Sequence, residues 1–221
     1  MSCWEIRIAT LIGAIVVGLT PPTTTAAEQP GLAIATLETL PVKGRAPKTG
    51  YSRDQFGQAW ADVNRNGCDT RNDILKRDLT AIIYKAGTRN CVVLSGTLLD
   101  RYSGESINFI RGNITSMEVQ IDHVVALSNA WQTGAFKLTA DQRKALANDP
   151  MNLFAVKGRL NSQKGDGDAA TWLPPLKSFR CAYVAQQIAV KAKYSLWVVP
   201  PEKAAMVSIL AKCPTQKLPV S

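Results

Sequence analysis

Gln120-Ile121-Asp122-His123-Val124-Val125 decides how this chain is read, together with Asn152-Leu153-Phe154-Ala155-Val156 and Asn161-Ser162-Gln163-Lys164-Gly165-Asp166-Gly167-Asp168. The first two stretches are short runs of β-branched and aromatic residues, the pattern of strands, and Val119 to Leu127 as a whole reads as one strand with His123 in its middle. Gly158 to Lys164 reads as a short helix or structured loop. His123 is the only histidine of the 221-residue chain. That excludes an H-E-x-x-H zinc site and any relay of two histidines. A Ser-His-Asp triad needs only one histidine, but the chain has no G-x-S-x-G elbow, and it also lacks a P-loop and G-x-G-x-x-G. Neighbouring residues of a regular strand point to opposite faces, so Asp122 and His123 serve one site only if the strand ends or bends there. A metal held by the carboxylate and a base supplied by the imidazole would use both; a structural histidine bonded near an acid is the other reading.

Working outward, Thr139 and Gln142 form a capping box that starts a helix running to about Ala147, and Asn148-Asp149-Pro150 stops it. Leu176 to Tyr194 carries Phe179, Tyr183, Val184, Ile188 and Ala192 on one broad face, and Pro200 or Pro201 can start a second helix through Leu210. Upstream, helices are expected over Asp54 to Val63 and Arg71 to Ile83, a strand over Cys91 to Leu99 and a weaker strand over Ser106 to Ile110. Strands mixed with helices in no βαβ rhythm predict an α+β fold. Asp62, Asn64, Asn66 and Asp73 fit a calcium-loop template, except that Asp replaces the closing Glu; the competing reading is a polar turn leading into a helix from Asp69 or Thr70, with Asp73 in something like a capping box.

Hydrophobic residues make up 46% and charged residues 19% of the chain, values of a globular domain. A formal charge of +9 makes a polyanion or anionic surface the first partner to consider. Arg7, the apolar run Ile8 to Leu19 and the small residues near Ala26 and Ala27 form a signal-peptide pattern over residues 1–27. The run is short for a membrane span, so no stable insertion is expected once it is removed; an uncleaved anchor is the alternative. Residues 28–50, rich in Pro, Gly, Thr and Ala, read as a flexible linker. Of five cysteines, Cys3 falls in the leader, leaving an even set in an oxidising compartment. Three pairings of Cys68, Cys91, Cys181 and Cys213 are open; Cys68 with Cys91 and Cys181 with Cys213 are favoured because each joins neighbouring elements.

Cys68-Asp69-Thr70-Arg71, Asp122-His123-Val124-Val125, Asn152 with its strand, Asn161-x-x-Lys164-Gly165-Asp166 and Trp172-Leu173-Pro174-Pro175 follow one another in an order that, with the leader, resembles the secreted branch of the HNH, or His-Me finger, endonucleases. That branch is related to the C-terminal nuclease domain of the GmrSD restriction enzymes. The resemblance spans roughly Tyr51 to Cys213. It implies a ββα-metal core embedded in a mixed domain, residues 51–215, with C-terminal helices and two disulfides. It further implies that His123 is the general base, that Asp122 and Asn161 hold one divalent ion, and that Asn152 fixes the loop and the orientation of His123. Hard oxygen ligands suit magnesium, with manganese also compatible. Lys164 and Arg159 would clamp phosphate, with Asp166 and Asp168 as secondary candidates. A histidine is usual where Asn161 stands, and a neutral amide is the weaker ligand. The implied reaction is hydrolysis of nucleic acid, DNA foremost, to 5′-phosphate and 3′-hydroxyl ends. With no recognition helix or stacking platform evident, binding would be backbone-led and weakly selective for sequence. A nucleic-acid or surface-binding module without catalysis, and a calcium-stabilised structural protein, are the competing readings.

Overall fold

The computed structural model describes Met1 and residues 31–220, so the expected signal peptide lies, Met1 apart, outside the described residues. In chain order the helices and strands are α1 (Ala33–Thr39), α2 (Thr70–Asp78), β1 (Leu79–Tyr84), β2 (Val93–Leu99), β3 (Ser106–Ile110), β4 (Val119–His123), α3 (Leu127–Gln132), α4 (Ala140–Ala147), β5 (Leu153–Lys157), α5 (Gly158–Lys164), α6 (Arg180–Lys193) and α7 (Pro200–Leu210). β1, β2 and β3 form one antiparallel sheet in that order, and β4 pairs antiparallel with β5 in a second, with Asp122 opposite Phe154 and His123 opposite Leu153. The mixed α+β class expected from the sequence is observed.

The second sheet has only two strands, too few to be stable without support. Its β5 edge is closed by side chains rather than by another strand. The Arg77 guanidinium donates to Leu153 O at 2.6 Å, Asp78 accepts from Ala155 N at 2.9 Å, and Asp100 accepts from Lys157 N at 3.0 Å. The end of α2 and the turn after β2 thus satisfy backbone groups that an open edge would leave unpaired. Beneath, Ile121, Leu153 and Ala155 pack with Ile74, Leu75, Val93, Leu98 and Phe109. Gly158 lets α5 start against the beginning of β4: a Cβ there would lie 1.9 Å from Met117 O.

Four sequence expectations are corrected. Residues 31–50 are not a flexible linker. Ala33 and Leu37, one helical turn apart, have no exposed surface and pack with Val184, Ile188, Met206 and Leu210. Arg45 and Lys48 pair with Asp168 and Asp166, tying the segment to the loop after α5. Asp54 to Val63 is not a helix. Only a 3-10 turn, Arg53–Phe56, forms before Gly57 and Trp60 turn left-handed, with φ of 73° and 57°. That reversal buries Phe56 against Trp131 and carries Trp60 to His123. Arg71 to Ile83 is a helix only to Asp78; Leu79 is extended, and the β-branched Thr80, Ile82 and Ile83 continue as strand. Similarly β4 stops at His123, and Leu127 opens a short helix that periodicity did not reveal.

Both favoured disulfides are present. Cys68–Cys91 closes 23 residues ahead of β2, and Cys181–Cys213 joins the start of α6 to the end of α7 across 32. α6 and α7 are also joined by a fully buried pair, Lys191 Nζ to Glu202 at 2.9 Å, with Lys191 donating to Trp197 O at 3.0 Å. No described helix is long and apolar enough to cross a membrane. Replacing Cys181 and Cys213 together by serine is expected to cost about 2–5 kcal/mol. A chain of this size loses roughly 2–4 °C of melting temperature per kcal/mol, so circular dichroism melts read the effect directly. An unchanged midpoint would show that the staple contributes nothing.

Candidate active site

The end of β4 is the condition that lets two adjacent side chains share a site. Asp122 and His123 both line a polar cleft of about 270 Å³, with Gln120, Asn161, Ser128 and Arg53 around it. Asp122 is buried, and each of its oxygens takes a donor: Lys164 Nζ reaches Oδ1 at 2.9 Å and the Tyr102 hydroxyl donates to Oδ2 at 2.5 Å. Burial and the neighbouring Asp122 carboxylate hold the Tyr102 hydroxyl well above its ordinary pKa, so it stays a donor.

His123 is held from one side. Its Nε2 lies 2.9 Å from Ala147 O at the end of α4. A carbonyl oxygen only accepts, so in the neutral ring Nε2 carries the proton and Nδ1 the lone pair. Nδ1 makes no hydrogen bond among the described residues. Burial lowers the imidazole pKa to about 4, against the pull of the Ala147 carbonyl, and the charges of Arg53 and Lys164 add to the lowering. The ring is therefore neutral at pH 7. Trp60 lies nearly parallel to it, at 14° with centroids 6.0 Å apart.

Asn152 has no exposed surface and touches both pieces that hold His123. Its Oδ1 accepts from Val125 N at 2.8 Å, and its Nδ2 lies 3.3 Å from both Val125 O and Leu146 O. It joins the turn after β4 to the last turn of α4, next to the carbonyl that binds the imidazole. This makes it a positioning residue. Asn161, on α5, donates from Nδ2 to Gln120 Oε1 at 2.8 Å, which leaves its Oδ1 free of hydrogen bonds among the described residues.

Lys164 departs from its expected role as a phosphate clamp. Its side chain has no exposed surface, and Nζ is spent on Asp122 Oδ1 and, at 2.8 Å, on His123 O. Position on a seven-residue helix against β4 turns it inward. Arg159 is exposed on α5 and does not line the cleft. Asp168 is buried in its pair with Arg45; Asp166 lines the cleft and takes Lys48 at 2.6 Å. Sequence reasoning missed Arg53, Trp60 and Tyr102. No spacing signal links them to His123, since each arrives through tertiary packing.

Among the described residues no group of three or more His, Cys, Asp or Glu side chains is placed to hold a metal. Asp122 and Asn161 line one cleft and carry the hard oxygens of the kind magnesium takes, commonly one or two carboxylates with water and phosphate completing its shell, but both Asp122 oxygens already have donors. The ammonium on Asp122 weakens the pull on a cation. In the Asp62 loop, Asp62 accepts from the backbone N–H groups of Asn66 and Gly67 at 3.1 and 2.9 Å, and the Asn66 amide donates to Asp73 at 3.0 Å. Asp69 caps α2 through Asn72 N at 2.8 Å. The loop is closed by these hydrogen bonds among its own residues, with Asp69 rather than Asp73 as the capping residue.

Residues 69–209 match the family model described as GmrSD restriction endonucleases, C-terminal domain, and the chain belongs to that family. It is 36% identical over 208 residues, 92% of this chain and 97% of the relative, to an uncharacterized secreted protein of Arthroderma benhamiae. No solved structure matches. The nuclease-associated family accords with the mixed fold and places nucleic acid among the expected partners.

Removing the buried cation should be costly, because it leaves a buried carboxylate unpaired. Lys164→Met is expected to lose about 3–5 kcal/mol in denaturant unfolding. A loss below ~1 kcal/mol, the value of an exposed pair, would contradict the buried arrangement.

Proposed function

We propose that this chain is an exported, metal-dependent endonuclease of the His-Me finger type, with β4, β5 and α5 as its ββα finger. Its substrate is nucleic acid, DNA foremost, cut to 5′-phosphate and 3′-hydroxyl ends with weak sequence selectivity. The observation that carries the reading is the hydrogen bond from His123 Nε2–H to Ala147 O, which leaves Nδ1 unprotonated on a residue that lines a polar cleft. Export is supported by the leader-like sequence, the secreted relative and the two disulfides.

In this mechanism His123 Nδ1 takes a proton from the water that attacks phosphorus. The imidazolium so formed keeps its bond to Ala147 O, which is then a charge-assisted one. Arg53, on the rim of the cleft, offers its guanidinium to the phosphate and takes the clamping role foreseen for Lys164. Asp122 and Asn161 would hold the divalent ion, magnesium or manganese, which would supply Lewis-acid stabilisation of developing negative charge. Lys164 and Tyr102 hold the Asp122 carboxyl group in one orientation. An imidazole held near pKa 4, chiefly by burial, is a weak base, and an arriving phosphate opposes the smaller part of that lowering that comes from Arg53.

A second reading, a nucleic-acid-binding module without catalysis, is favoured by one observation: both oxygens of Asp122 are already engaged. The two separate in a single assay. Supercoiled plasmid is expected to be nicked with magnesium or manganese and not with EDTA, and His123→Ala to lose roughly 10²–10⁴ in rate, the worth of a general base. Salt-sensitive binding without nicking under any metal would favour the module, and undiminished cleavage by the alanine variant would remove His123 from the chemistry.

A further inference from the structure

Two cavities meet at His123. The second, about 210 Å³, lies between the Arg53–Trp60 loop and the end of α4, and Arg53, His123 and Leu127 line both. The first presents carboxylate, amide and hydroxyl groups; the second presents the Trp60 indole beside the amide of Asn148, with Asp54 and Gln58 also on its wall. A nucleotide has the same division, an anionic phosphate joined through a sugar to a flat base with a π-face and N–H donors. The volume falls below the roughly 300–1,000 Å³ of pockets for drug-sized ligands and suits one base.

Two details point to a ligand. Asn148 is 1% exposed; its Nδ2 donates to Lys144 O at 2.9 Å, which settles the orientation of the amide, and its Oδ1 has no partner. Buried acceptors without a partner are uncommon, and this one belongs to a residue on the cavity wall. Trp60 holds its indole beside the imidazole from a left-handed backbone, φ 57°, which bulky residues rarely adopt and which gathers at ligand-binding positions.

We propose, resting on the nuclease reading above, that this cavity is a nucleobase subsite for the nucleotide next to the scissile phosphate. A base that enters it has left its stack, and that costs least when the base is already unpaired. The protein therefore selects single-stranded or locally unpaired nucleic acid. Stacking on an indole is tolerant of base identity, consistent with weak sequence selectivity.

The test is binding of a labelled oligonucleotide to the whole protein in EDTA, followed by fluorescence anisotropy. The strand is presented single, fully paired, and single with its bases replaced by abasic sites. The intact single strand is expected to bind about tenfold tighter than the other two, in line with the contribution of one stacked base. Trp60→Ala should remove that advantage and leave abasic binding unchanged, and Trp60→Phe should restore most of it. Equal binding of intact and abasic strands, Trp60→Ala weakening both alike, or no binding of any strand would overturn the subsite. A Trp60-dependent preference without plasmid nicking would keep the subsite and remove the nuclease. Nicking without the preference would do the reverse.

Discussion

The carboxamide of Asn152, wholly buried, bonds to Val125 on one side and to Leu146 on the other. Its own carbonyl also accepts from Val124 N at 2.8 Å. The turn after β4 and the end of α4 are consequently one unit, and His123 sits between them with Nε2 on Ala147 O. Everything proposed for the imidazole depends on that unit. Which nitrogen carries the proton follows from where the Ala147 carbonyl is held. An unpaired buried backbone group costs about 1–3 kcal/mol, so three bonds from one side chain are a strong constraint on this geometry.

Charge is arranged around the same unit. Lys164 and Tyr102 hold Asp122 from within, Arg53 faces His123 from the rim, and Asp78 and Asp100 close the strand edge behind. The inner cation fixes a carboxylate in place, whereas the outer one is free to meet a polyanion. The formal charge of +9 sets a general attraction for such partners; the division between inner and outer cations is what could turn attraction into a reaction at one place. The N-terminal segment takes part too, since Arg45 and Lys48 pair with Asp168 and Asp166 on the loop that follows α5.

Local signals carried far along this chain. The capping box of Thr139 and Gln142, the stop at Pro150, the strand after Asn152 and the proline start of α7 all stand where residue chemistry placed them. Both disulfides were legible because each joins elements close in the chain. What was not legible depends on distant partners. Ala147 is 24 residues from His123 and contributes only a backbone carbonyl, which any residue could supply. Lys164 looked like a surface cation because a lysine in a polar loop usually is one; its burial follows from α5 packing on β4. Residues 31–50 looked like a tether because two apolar positions of one short helix, Ala33 and Leu37, make a weak periodic signal that only α6 and α7 turn into a core.

The lone histidine makes the central claim directly measurable. With ¹⁵N-labelled histidine the metal-free protein contributes a single imidazole to a long-range ¹H–¹⁵N correlation spectrum. At pH 7 the expected result is one neutral tautomer with Nε2 protonated and Nδ1 bare, unchanged on lowering the pH to 5.5 because burial holds the pKa near 4. A protonated Nδ1, rapid exchange between tautomers, or titration near the ordinary histidine value of about 6.5 would contradict the account.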